Sequence, residues 1–193
     1  AYGTLFDVYS VTALCEELFP QHGTALAQVW RAKQLQYSLL RTLMGRYVDF
    51  WTITGDALTY GCASLGLVLT DEARHRLMDA YSRLSVFPDV YPALEALRDQ
   101  GLRLAILSNG SPAMLDAAVR HAGLDRWLHE VISVDPLRVY KPSPVVYAEA
   151  SRRLDVPPAA IGFVSSNGWD VAGATSAGLR SFWVQRAANR SEE

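Results

Sequence analysis

"RLAILSNG" (103–110) is a short apolar run that ends in polar residues, and this pattern predicts a buried strand followed by a loop. From Val90 to position 185, the chain alternates between short apolar runs of this kind and helical segments. Strand patterns recur in 130–135, 160–168 and 180–185. Short strands separated by helices are typical of a parallel sheet with helices on both faces. This part of the chain is therefore predicted to have an α/β fold.

Residues 10–84 show apolar residues at helical spacing and no strand signal. They predict a small helical lobe that is inserted between residues 1–9 and 85–193, which together form the sheet-containing core. The predicted helices occupy 10–18, 24–44, 47–65 and 71–84, with Ser10 and Thr70 as N-caps and Gly45 as the end of the second helix.

Polar residues stand where the predicted strands end. In open parallel sheets, ligands bind beyond the carboxyl ends of the strands. The corresponding loops are 2–4, 108–110, 165–167 and the loop around Lys141. We expect these loops to converge on one pocket, covered by Arg31 and Phe50 from the helical lobe.

The overall composition narrows the choice of partner. The chain has 18 basic and 20 acidic residues and a net charge of −2, so neither nucleic acid nor an anionic membrane surface is an expected partner. The expected partner is a small molecule or another protein. No apolar run approaches the roughly 18 residues that a membrane span needs.

Cysteines and histidines offer no metal or disulfide pattern. Cys15 and Cys62 lack C-x-x-C spacing and are predicted to be buried thiols, which suits a reducing cytoplasm. None of the four histidines falls in a strand-end loop. They are predicted to lie at the surface or at helix ends, and they are His22, His75, His121 and His129.

The ordered set of strand-end residues resembles the haloacid dehalogenase (HAD) superfamily, and in particular the L-2-haloacid dehalogenases. The matching residues are Tyr2-Gly3-Thr4, Ser108-Asn109, Lys141-Pro142 and Ser165-Ser166-Asn167 with Asp170. Trp30-Arg31, "LMGRY" (43–47) and "ILSNG" (106–110) also match, so the resemblance covers nearly the whole chain. It implies a Rossmann-like HAD core, an inserted helical cap lobe and a homodimer.

The first loop matches a family pattern of Asp-x-Tyr-Gly-Thr, which implies a nucleophilic aspartate directly before Ala1. Asp7 is the alternative within the chain, since it too has an aromatic residue two positions later. However, it lacks the Gly-Thr that lets the loop turn and offer backbone N–H groups. Asp7 is therefore interpreted as a polar residue in the link to the helical lobe.

Two departures separate this chain from the phosphatases of the superfamily. Those enzymes protonate the leaving group with a second aspartate, where this chain has Tyr2, and they bind magnesium through carboxylates in the fourth motif, which here begins Ser165-Ser166-Asn167. Magnesium prefers octahedral oxygen ligands that include carboxylates. Halide leaves without a proton. The resemblance thus implies a dehalogenase without metal or organic cofactor.

The implied reaction converts short L-2-haloalkanoic acids to D-2-hydroxy acids. A carboxylate attacks the halogen-bearing carbon with inversion, halide departs, and water cleaves the resulting aspartyl ester. Thr4 and Lys141 would hold the nucleophile, and Ser108 would bind the substrate carboxylate. Arg31, helped by Asn109, would stabilise the departing halide. Without the resemblance, Arg31 could also be an ordinary arginine on the surface of a helix.

The implied water-activating group is Asp170, held near Lys141 and Asn167, as a general base or an orienting group. Without the resemblance, it also fits a first-turn carboxylate that complements a helix dipole. Tyr147 and Ser165 match supporting polar positions of the family.

The resemblance implies that four residues form an apolar wall around the substrate's alkyl group. Each of them could equally be an ordinary residue of the hydrophobic core. These are Tyr2, Leu35, Phe50 and Trp169. Ala32 departs from relatives in which glutamine stands after the arginine, which removes a polar contact.

Two other functions stay open at the level of the sequence. One is a related metal-free hydrolase of another small activated acid. The other is a non-catalytic protein that binds small anions, which applies if the nucleophile is truly absent.

Overall fold

The computed structural model describes residues 1–186 as eight α-helices, four short strands and two 3-10 turns. The α-helices are α1 Thr12–Leu18, α2 Gly23–Leu43, α3 Phe50–Ser64, α4 Asp71–Ser82, α5 Val90–Asp99, α6 Pro112–His121, α7 Pro144–Leu154 and α8 Gly168–Ser176. The strands are β1 Ala105–Ser108, β2 Glu130–Ser133, β3 Gly162–Ser165 and β4 Arg180–Trp183, and the 3-10 turns are Asp135–Leu137 and Pro158–Ala160.

The strands pair in parallel, as the alternating pattern predicts. β1 pairs with β2 so that Ser108 stands opposite Ser133, and β3 pairs with β4 so that Ser165 stands opposite Trp183. Within the described residues these pairs form two separate two-stranded sheets rather than one continuous sheet, because no described strand lies between them. Helix α8 packs on β3 and β4, whereas α6 and α7 pack on β2.

The predicted helices are present, with two corrections at their starts. Ser10 does not cap α1, because its hydroxyl donates to the carbonyl of Asp7 (2.8 Å) and the helix begins after Val11. Helix α3 begins at Phe50 instead of position 47, because the Asp49 side chain accepts from the N–H of Thr52 (3.0 Å) and caps it there.

Other local predictions are confirmed. Thr70 caps α4 by accepting from Ala73 N–H (3.1 Å), and Gly45 follows α2 with a φ of +63°. All four histidines are exposed. Cys15 and Cys62 are buried and unpaired, and burial raises the pKa of the Cys15 thiol to about 12.

Helices α1 to α4 pack mainly on one another, and their buried apolar residues join those of the strand region in one core. The division into a lobe of 10–84 and a core of 1–9 and 85–193 stays a prediction, and residues 187–193 lie outside the described part of the chain. Among the described helices, none is both long and apolar enough to cross a membrane.

Candidate active site

The first loop folds back tightly and is tied to the end of β3. The N–H groups of Thr4 and Leu5 both donate to the carbonyl of Ala1, at 3.0 and 2.8 Å. Ser166 N–H donates to the Thr4 hydroxyl (3.0 Å), and the Ser166 hydroxyl donates to the Gly3 carbonyl (2.7 Å). Two of the predicted strand-end loops therefore meet directly.

Gly3 is required at this point of the first loop. Its φ is +85°, a conformation that side chains rarely adopt. A Cβ here would also lie 3.3 Å from the Ser166 hydroxyl and 3.6 Å from the Arg31 guanidinium. The turn of the first loop thus depends on glycine because of its positive φ.

The second feature is a buried ion pair between Lys141 and Asp170. Lys141 Nζ lies 3.1 Å from Asp170 Oδ2, and their side chains are only 5% and 7% exposed. Ser165 also donates to Oδ2 (3.0 Å), and the Tyr147 hydroxyl donates to Oδ1 (2.8 Å). The structure thus brings together four predicted site residues from the Lys141 loop, α7, β3 and α8.

Burial governs the charges in this cluster. It lowers the pKa of Lys141, and the nearby Asp170 carboxylate opposes that shift. Burial also raises the pKa of Tyr147, so its hydroxyl stays protonated and serves as a donor. The ammonium group of Lys141 lies 4.6 Å from the centre of the Phe163 ring, which adds a cation–π contact.

The Ala1 nitrogen lies within reach of the same charges. Lys141, Asp170 and Arg31 are the charged groups that interact electrostatically with it. A group joined to this nitrogen would therefore stand close to the ion pair and to the arginine.

Arg31 reaches the first loop from α2. Its Nη2 lies 3.4 Å from the carbonyl oxygen of Tyr2, and its Nη1 donates to Gln34 Oε1 (2.7 Å). Arg31 thus lies against the first strand-end loop, and its role in covering a pocket stays a prediction. Phe50 also reaches this loop, since its ring centre lies 6.2 Å from that of Tyr2.

Ser108 is the last residue of β1, and Asn109 begins the loop that follows it. Ser108 Oγ accepts from Gly110 N–H (3.1 Å), as in an ordinary turn, and Asn109 Oδ1 accepts from Lys141 N–H (3.1 Å). Both side chains are buried. Asn109 therefore links the β1 loop to the Lys141 loop.

Three further predicted residues lie beside these groups. Leu35 stands half-buried on α2, one turn after Arg31, and Trp169 is half-buried next to Asp170. Asn167 occupies the N-cap position of α8, where its N–H donates to Ser165 Oγ (3.3 Å). Their direct roles toward a substrate stay predictions.

The motif pattern alone did not identify a buried polar network behind Arg31. Gln34 of α2 is hydrogen-bonded to both Thr54 of α3 and Tyr81 of α4, and all three side chains are buried. The available signal was the spacing of Gln34, three residues after Arg31, which places both on one face of a helix. Thr54 and Tyr81 are distant in sequence, so no local pattern connects them.

Comparison with known proteins agrees with this geometry. The model of the haloacid dehalogenase-like hydrolase family matches residues 1–178. An (S)-2-haloacid dehalogenase of Pseudomonas sp. (strain YL) is 50% identical over 192 residues, covering 100% of this chain and 83% of the relative. A solved L-2-haloacid dehalogenase from Xanthobacter autotrophicus with chloropropionic acid covalently bound is 48% identical, with a TM-score of 0.92, over 97% of this chain and 76% of that one. This chain belongs to the haloacid dehalogenase-like hydrolase family, among the L-2-haloacid dehalogenases.

Proposed function

We propose that this protein hydrolyses short L-2-haloalkanoic acids to D-2-hydroxy acids through an aspartyl-ester intermediate. One observation carries the proposal: the relative from Xanthobacter autotrophicus, similar along nearly the whole chain, holds chloropropionic acid covalently. The buried Lys141–Asp170 pair beside the first loop supports it, because covalent chemistry by a carboxylate needs positioned charges in a site that excludes water.

The nucleophile in this proposal is an aspartate joined to Ala1. Its carboxylate oxygen attacks C2 of the substrate from the side opposite the halogen, a C–O bond forms, and the C–halogen bond breaks with its electron pair. Lys141 is one of the charged groups that lie near the Ala1 nitrogen. Lys141 and the Thr4 hydroxyl orient the attacking carboxylate by charge and hydrogen bonding.

The leaving halide takes up the negative charge as the bond breaks. Arg31, whose guanidinium lies at the first loop, receives the halide with the help of Asn109. Ser108 and neighbouring N–H groups hold the substrate carboxylate. Tyr2, Leu35, Phe50 and Trp169 form the wall around the alkyl group.

Water then attacks the carboxyl carbon of the ester, which releases the hydroxy acid and restores the aspartate. Asp170 activates or orients this water. Oδ2 accepts from both Lys141 and Ser165, whereas Oδ1 accepts only from Tyr147 among the described residues, which leaves Oδ1 a lone pair for water. Asn167 stands at the start of the same helix as a supporting group.

We propose that no metal takes part. The fourth motif offers hydroxyl and amide groups from Ser165, Ser166 and Asn167 in place of carboxylates. The nearby carboxylate of Asp170 is already paired with the Lys141 ammonium and accepts hydrogen bonds from Ser165 and Tyr147. This donor set is poor for magnesium.

We also propose a homodimer in the cytoplasm. Exposed apolar side chains on α2 and the adjoining chain support an interface between copies, and they include Leu39, Leu40, Leu43 and Met44. A monomeric mass in sedimentation would contradict this. Two buried, unpaired cysteines support a reducing compartment.

Halide release tests the proposed activity. The protein is expressed from its complete gene and assayed separately with L- and D-2-chloropropionate, with and without EDTA. We expect chloride from the L form alone, D-lactate as the organic product, and no effect of EDTA. Absence of release from either form, with the upstream aspartate confirmed, would contradict the proposal, and inhibition by EDTA would contradict its metal-free part.

A further inference from the structure

Gln34 is a fully buried amide on α2 with partners on three helices. Its Oε1 accepts from Arg31 Nη1 (2.7 Å) and from the Tyr81 hydroxyl (2.9 Å). Its Nε2 donates to Thr54 Oγ1 (2.7 Å). An uncharged side chain with 0% exposure is thus hydrogen-bonded at both ends of its amide, directly behind the arginine.

The chemistry of the partners fixes the orientation of this amide. A guanidinium has only donors, so the Gln34 atom that faces Arg31 must be the carbonyl oxygen. The NH2 group then faces Thr54, whose own hydroxyl donates to the Phe50 carbonyl (2.6 Å). Donation therefore runs in a single direction, from the Arg31 guanidinium through Gln34 and Thr54 to the Phe50 carbonyl.

The contact holds Arg31 without neutralising it. Arg31 and Gln34 lie on the same face of α2, so the amide is placed by the helix itself. Gln34 offers a dipole and no negative charge, and the other groups in contact with the guanidinium, the Tyr2 carbonyl and the Tyr81 hydroxyl, are also neutral. The full positive charge stays available to an anion at the first loop.

We propose that Gln34 is a positioning residue, which fixes the Arg31 guanidinium at the first loop for the departing halide without itself neutralising the positive charge. This inference rests on the proposed function, in which Arg31 receives the halide. Gln34 acts through Arg31 and does not touch the substrate.

Two substitutions of Gln34 test separately the position of the Arg31 guanidinium and its positive charge. Gln34→Met fills a similar volume and removes the acceptor of Arg31. We expect kcat for L-2-chloropropionate to fall by about 10- to 100-fold with little change in KM, because misplaced donors act on the transition state. The loss should be smaller for L-2-bromopropionate, whose leaving group needs less stabilisation.

Gln34→Glu keeps an oxygen acceptor and adds a negative charge beside Arg31. Inhibition by added bromide reports anion binding at the guanidinium. We expect the inhibition constant of bromide to rise by about 10-fold, because a carboxylate near the guanidinium cancels much of its attraction for an anion.

Ser38→Ala is the matched control. Ser38 is buried one turn further along α2, and its hydroxyl donates to the Leu35 carbonyl (2.8 Å), away from Arg31. This variant perturbs the same helix and should keep native kcat and bromide inhibition. Equal losses of kcat in Ser38→Ala and Gln34→Met would show a merely structural role and overturn the inference.

The outcomes also separate this inference from the proposed function. If the native protein releases halide but a folded Gln34→Met variant keeps kcat within about twofold, the positioning role is wrong and the function stands. If Gln34→Met does not fold, the Gln34→Glu variant decides. Unchanged inhibition by bromide in that variant would likewise show that the positioning role is wrong. No halide release by the native protein overturns the proposed function itself.

Discussion

At the scale of single residues, burial makes the Lys141–Asp170 pair both costly and useful. Two charges removed from water lose hydration free energy, and only their mutual attraction and further hydrogen bonds offset this loss. Here the Ser165 and Tyr147 hydroxyls supply those bonds. The pair is therefore stable only as a complete set, and removing one member leaves the other charge uncompensated.

Asp170→Asn tests this dependence. The substitution keeps the size of the side chain but leaves the Lys141 ammonium buried without a counter-charge. We expect the free energy of unfolding to fall by about 3 kcal/mol and kcat to fall at least about 100-fold. Urea unfolding and halide release measure the two effects.

Asp116→Asn is the control for Asp170→Asn. Asp116 pairs with Arg120 at 2.8 Å on α6, but both side chains are mostly exposed, at 59% and 74%. Its loss should change the free energy of unfolding by less than about 0.5 kcal/mol. Equal urea midpoints for the two variants would contradict the account of the buried pair.

At the scale of elements, the sequence predicts helices and strands well and their ends less well. Apolar periodicity identifies all four described strands and the four N-terminal helices, because it reflects which face is buried. Ends depend on which side chain caps. Thr70 caps as predicted, whereas the Ser10 hydroxyl donates to the Asp7 carbonyl instead of capping α1.

The sequence likewise predicts some parts of the candidate site and misses others. The strand-end rule predicts that the loops carrying Thr4, Asn109 and Lys141 meet, because ligands of open parallel sheets bind beyond the carboxyl ends of the strands. The Gln34 network has no such rule, since its partners come from separate helices. Only tertiary packing brings Thr54 and Tyr81 to Gln34.

Arg186 joins the segment after β4 to two other elements. Its Nη2 donates to the Thr4 carbonyl (2.7 Å), its Nη1 pairs with Asp89 before α5 (2.6 Å), and the guanidinium lies 4.1 Å from the centre of the Phe87 ring. A planar guanidinium with several donors makes such a set of contacts, whereas a lysine ammonium does not.

Arg186→Lys should therefore lower the free energy of unfolding by about 1 to 2 kcal/mol, through lost hydrogen bonds and stacking. Because one contact holds the Thr4 backbone, kcat should fall as well. Arg180→Lys, at an exposed position of β4, is the matched control. The prediction fails if both variants unfold at the same urea concentration.

At the scale of the whole molecule, one core joins the helices to the strands and contains several tyrosines. Burial raises the pKa of five of them, which are Tyr2, Tyr47, Tyr81, Tyr140 and Tyr147. Their ordinary value is 10.0. Above that pH the unfolded chain loses these protons and the folded chain keeps them, so the folded state binds more protons and stability falls as pH rises.

Tyr2→Phe measures how much Tyr2 contributes to this loss of stability at high pH. The Tyr2 hydroxyl is buried and, among residues 1–186, has no hydrogen-bond partner. Its removal should raise the free energy of unfolding by about 1 kcal/mol near neutral pH, because an unsatisfied buried hydroxyl costs desolvation free energy. Above pH 10.0, each tyrosine that stays protonated costs about 1.4 kcal/mol per pH unit, so the variant should lose stability less steeply.

Urea unfolding from neutral pH to about pH 11 compares the native protein with Tyr2→Phe. Lys141 acts in the opposite direction, since its lowered pKa makes stability rise with pH up to the ordinary lysine value of 10.5. This contribution is common to both proteins and cancels in their difference. The difference in stability should therefore be constant below pH 10.0 and widen above it, because only the native protein retains the Tyr2 proton. Parallel curves at every pH would show that Tyr2 ionises equally in the folded and unfolded chains, and the buried hydroxyl would then have to reach water.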